Sequence, residues 1–216
     1  TGAQRRGRNP VAMPCGHADN INASVGANDR HSQLIAVPLT VPFRAHGEND
    51  HYCVMNSVLN AVHFAGCDVS ALHTLQHLVD TDRAKPAAHR QLNTMHLKHV
   101  LGLIHEHRLQ RYIDVRKVHF HKTASGCCDG LATVLHRHHA GDVFVACLES
   151  ADKSIRHAVT IVANTVIDSC EPRGLQLNRE TLNYCCGGVC GRVTMLRRFQ
   201  VTMATSTKRK YHERGP

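Results

Sequence analysis

The chain has no tryptophan, only 4% of its residues are aromatic, and its acidic residues are outnumbered by basic ones. Base stacking therefore has few platforms, and with no recognisable nucleic-acid motif a dedicated nucleic-acid-binding domain is excluded. No uninterrupted apolar run of about 18 residues occurs, which excludes a membrane-spanning helix and leaves no membrane partner to expect. The sequence opens at Thr1 with no initiator methionine and no basic-then-apolar stretch. The sequence reads as an excerpt or a cleaved product without a secretion signal, such as a piece of a viral or mobile-element polyprotein.

What is present suffices for one substantial core, since 42% of the 216 residues are hydrophobic. Lys and Arg number 26 against 17 Asp and Glu, a formal charge of +9. Much of that excess sits at the ends, in Arg5, Arg6 and Arg8 and in Lys208-Arg209-Lys210. Residues 1–33 read as a flexible basic arm, 34–203 as the folded domain and 204–216 as a basic tail. The ends invite weak, non-specific contact with phosphate backbones. Ten cysteines in a chain this long do not need a disulfide framework, so the thiols are expected to be mostly reduced and the protein intracellular, cytoplasmic or nuclear.

Helical periodicity comes first along the domain. Asp50 is a plausible N-cap for a helix over about 51–65, with Val54, Met55, Val58, Leu59 and Val62 on one face and Gly66 as its stop. Further helices are expected over about 70–79 and 93–107. Strand-like alternation follows from Tyr112 to Phe120, interrupted by a short helix at 131–138. Strands at 142–148, 155–162 and 165–168, a helix at 178–184 and a strand at 192–201 complete an α+β plan with an antiparallel sheet.

Cys53 stands three residues after the expected N-cap, where the positive end of the helix dipole favours a thiolate. Ala163-Asn164 makes a two-residue turn, with Asn164 tolerating a positive φ. Val162 then faces Thr165, and His157 and Asp168 become diagonal neighbours on one sheet face. A carboxylate there fixes the imidazole tautomer and leaves the second ring nitrogen for a thiol.

A cysteine at a helix start, then helices, then histidine and aspartate on adjacent strands resembles the papain-like cysteine peptidases, and among them the divergent Josephin-type deubiquitinating and bacteriocin-processing branches. The resemblance covers about 49–186, with the segments around Cys53 and from His157 to Asp168 its specific parts. It implies a papain-like fold in which N-terminal helices, with the nucleophile at a helix start, pack on a C-terminal antiparallel sheet. It also implies Cys53 as nucleophile, His157 as general base and acid, and Asp168 as the orienting residue. The substrate would be a polypeptide cleaved at a peptide or isopeptide bond, in polyprotein self-processing or deubiquitinase-like action, with no cofactor. Where the family carries a glutamine to hold the oxyanion, this chain offers Glu48, Asn49 and His51, and Asn49 is the substitute.

A further constellation is rich in cysteine and histidine: Cys127-Cys128, His136 to His139, and Cys170 with Cys185, Cys186 and Cys190. Cys170, Cys185, Cys186 and Cys190 form the alternative metal set, a structural zinc in a non-catalytic or inactive binding module that docks to nucleic acid or a larger assembly.

Overall fold

A computed structural model describes residues 34–47, 50–119, 127–139 and 141–202. Among these are five α-helices and a seven-stranded sheet in which every paired neighbour is antiparallel. The helices are α1 (Cys53–Phe64), α2 (Val69–Arg83), α3 (Leu97–Glu106), α4 (Cys127–Leu135) and α5 (Arg179–Cys185). The strands are β1 (Ala36–Thr40), β2 (Ile113–Lys117), β3 (Val143–Ser150), β4 (Arg156–Val162), β5 (Thr165–Ile167), β6 (Arg173–Gln176) and β7 (Cys190–Val201). Their order across the sheet is β1-β6-β5-β4-β3-β7-β2. The expected α+β class is observed.

Strand parity assigns the two faces of the sheet. Val143 and Val145 join a buried cluster with Met55, Leu59, Leu75 and Val100 from α1, α2 and α3, whereas Phe144, Ala146 and Leu148 pack with Leu131 and Leu182 from α4 and α5. Both faces are therefore covered, and β3 is apolar along nearly its whole length rather than alternating.

Several boundaries depart from the sequence reading. Asp50 is not the cap of α1: its carboxylate accepts from the N–H of Tyr52 at 2.9 Å and of His46 at 2.6 Å. That Asx-type turn leaves Tyr52 as the capping residue and Cys53 as the first residue of α1. Gly66, with φ +69°, ends the helix as expected. α2 runs four residues past its expected end, to Arg83, whose guanidinium reaches back to Asp50 at 2.9 Å. α3 starts four residues late, after a separate turn closed by the N–H of Met95 on the carbonyl of Leu92 and an extended His96. β1 and β6 are additions. Pro38 sits on an edge strand within a register shift, where the missing donor costs no ladder bond.

Candidate active site

Two elements set the position of the Cys53 side chain. Ser57, one turn further along α1, donates its hydroxyl to the carbonyl of Ala158 at 2.8 Å, and Thr160 donates to the carbonyl of Ser57 at 2.7 Å. Both bonds are buried, so the N-terminus of α1 is pinned to the stretch of β4 that carries His157. On the neighbouring strand Glu149, only 1% exposed, is gripped by Arg156 and Arg192 at 2.9 and 2.6 Å and holds the start of β4 in register.

The β4–β5 hairpin has the expected pairing, with Val162 opposite Thr165 and Thr160 opposite Ile167. The positive φ of its turn, 52°, falls on Ala163 rather than Asn164. Beyond the last paired residue, Asp168 points at His157, whose Nε2 lies 2.9 Å from each carboxylate oxygen. Because a carboxylate only accepts, Nε2 carries the proton. The side chain of Cys53 lies near enough to the imidazole to raise its affinity for a proton. With Nε2 committed to Asp168, Nδ1 is the ring nitrogen left for the thiol. Cys53, His157 and Asp168 thus come together as a connected chain of side chains.

Burial acts against charge on the imidazole, yet the Asp168 carboxylate and the Cys53 contact outweigh it and hold His157 well above the ordinary histidine range. Burial likewise opposes ionisation of Asp168, and the imidazolium with further donors keeps its carboxyl below the usual range. Those donors are the N–H of Cys170 at 2.9 Å and the thiol of Cys185. The Cys185 thiol is in turn pushed far up, first by burial and then by Asp168.

Sequence reasoning passed over Cys185 and Cys147 as neighbours of the site. Cys147 pairs with Ala158 across β3 and β4, and burial together with nearby Cys53 pushes its thiol up to about 12. Counting registers from a β3–β4 hairpin would have located it. His51, two residues before Cys53, has a buried Nδ1 without a hydrogen-bond partner. Asn49 lies outside the described residues, as do the side chains of Cys127 and Cys128.

The alternative metal set does not assemble as a cysteine site. Among the described residues no three of Cys170, Cys185, Cys186 and Cys190 converge at ligand distance; Cys170 instead groups with His157 and Asp168. His138, from the histidine run, faces Asp142 at 3.5 Å.

No family model matches the chain, and no curated protein and no solved structure matches it. The side-chain geometry therefore carries the functional reading by itself.

Proposed function

We propose that the protein is a thiol-dependent hydrolase of papain-like type that cleaves a peptide or isopeptide bond through Cys53, His157 and Asp168. The observation that carries this reading is one imidazole hydrogen-bonded to Asp168 and close to a cysteine at the first residue of a helix. A nucleophile, a base within reach and a third group orienting the base are what acyl transfer requires.

In the proposed cycle His157 takes the proton of Cys53 and the sulfur attacks the substrate carbonyl. The imidazolium then protonates the leaving amine, and water, activated by the same ring, releases the acyl group. The first N–H groups of α1 have no carbonyl within the helix to bond, so the N–H of Cys53 is placed to receive the developing oxyanion. Polyprotein self-processing and deubiquitinase-like cleavage both belong to this chemistry. The basic ends would add non-specific, salt-sensitive contact with nucleic acid.

With a substoichiometric thiol-directed electrophile, the wild-type protein is expected to label at Cys53, located by peptide mass spectrometry. Cys53→Ala should remove that label and leave the circular dichroism spectrum unchanged. Undiminished labelling of the variant, or labelling spread over the other cysteines of the wild type, would sink the assignment.

A further inference from the structure

The cluster around Asp168 holds a donor that hydrolysis does not use. Cys170 lies two residues after Asp168, and a ring nitrogen of His157, a carboxylate oxygen of Asp168 and Sγ of Cys170 all stand within 4.8 Å of one another. No other three histidine, cysteine or acidic side chains group in this way among the described residues. An imidazole, a carboxylate and a thiolate are a donor set that suits zinc. Metal–donor bonds of about 2.0–2.3 Å set one sulfur and two nitrogen or oxygen donors roughly 3.3–3.6 Å apart in a tetrahedron, so the cluster needs to adjust by about 1.3 Å at most. His157 and Asp168 are largely enclosed, at 9% and 3% side-chain exposure, and Cys170 is half-buried.

We propose that His157 Nε2, Asp168 and Cys170 bind a thiophilic divalent cation, zinc above all, and that the bound ion silences Cys53. The silencing rests on the hydrolase reading; the binding does not. When the ion enters, the Cys170 S–H bond breaks and its proton leaves to solvent, the single ring proton of neutral His157 passes through solvent from Nε2 to Nδ1, and nitrogen–metal and sulfur–metal bonds form. No electron changes hands. The ring proton now sits on Nδ1, facing Cys53, so the imidazole has no lone pair left with which to accept the proton of the thiol.

Cobalt(II) titrated into the full chain tests the binding, because a thiolate–cobalt charge-transfer band separates this site from the all-nitrogen sites that 19 histidines provide. Wild-type protein and Cys53→Ala are both expected to show the band at one equivalent, with release of about one proton per ion. Cys170→Ser, and Cys170→Ala as a second variant in case the first misfolds, should lose the band and bind at least tenfold more weakly. A band that survives both Cys170 variants, is missing from the wild type, or disappears in Cys53→Ala would overturn the site. Zinc at one equivalent should slow electrophile labelling of Cys53 at least tenfold in wild-type protein and not in Cys170→Ser. Labelling indifferent to zinc would overturn the silencing. Metal-free labelling tests the hydrolase itself, so failure of one idea is distinguishable from failure of the other.

Discussion

Asp168 is held by three donors: the imidazole of His157, the N–H of Cys170 and the thiol of Cys185. Under the proposed mechanism its task is to set the tautomer of His157 and to stabilise the imidazolium. Asp168→Ala is therefore expected to lower turnover of a cleavable peptide roughly tens- to thousands-fold, compared at equal folded fraction, given what mis-setting a triad tautomer costs. Asn164→Gly, which touches neither His157 nor Asp168, should leave turnover nearly unchanged; a larger loss there than in Asp168→Ala would redraw the triad. His157 and Asp168 were legible in the sequence because a two-residue turn fixes the register of a hairpin, and register fixes which side chains are neighbours. The residue that takes the left-handed conformation was not, since an asparagine tolerates that region better than an alanine and the flanking strands placed Ala163 there regardless. Cys185 was illegible for another reason: it reaches Asp168 only because α5 folds back over the sheet, a long-range contact that no local pattern announces.

At the level of elements, the hold on the start of α1 comes from an unexpected direction. Tyr52, its capping residue, donates its hydroxyl to Asp82 at 2.9 Å, and Asp82 also accepts from Lys85 at 3.0 Å, from the N–H of Leu92 at 2.8 Å and from that of Gln91. One buried carboxylate thus ties α1, the end of α2 and the approach to α3. Burial alone would raise its pKa, but the N–H groups of Leu92 and Gln91, with Lys85 and Tyr52, hold it below the ordinary carboxylate range. A folded value below the unfolded one means that the stabilisation is fully present above about pH 4, the unfolded pKa, and is lost as pH falls through the depressed folded value. Urea midpoints should accordingly drop in acid for the wild type and drop less for Asp82→Asn. At neutral pH that variant should already have lost about 2–4 kcal/mol, since several bonds to a charged acceptor weaken together. The expected start of α3 was early because residues 92–95 close a turn of their own and His96 is extended, a break that helical periodicity does not reveal. β1 and β6 escaped for a local reason: Pro38 and Gly174 are poor strand formers. At Gly174 a Cβ would lie 2.6 Å from the Thr165 methyl, so the residue that obscures β6 is the one its packing demands.

Over the whole molecule, β3 and β4 lie inside the sheet with cover on both faces, while β1 and β2 form its two edges. Amide hydrogen exchange is expected to follow that order, with β3 and β4 exchanging only on global unfolding and β1 and β2 opening locally and faster. Equal protection at centre and edge would contradict the layered packing. The architecture was legible to the extent that helices precede strands; that helices cover both faces was not, because α4 and α5 are short and interrupt the strand series.

The pairing of Cys53 with His157 also has a consequence in time. About a hundred residues separate the two along the chain, so at roughly 5–20 residues per second the ribosome finishes the helix bearing the sulfur some 5–20 s before it supplies the base. Until the hairpin has been made, a nascent chain carries the nucleophile without its proton acceptor. Under the proposed function the enzyme is therefore inert until the hairpin has been made, and a stalled or truncated product ending before the hairpin is born without activity.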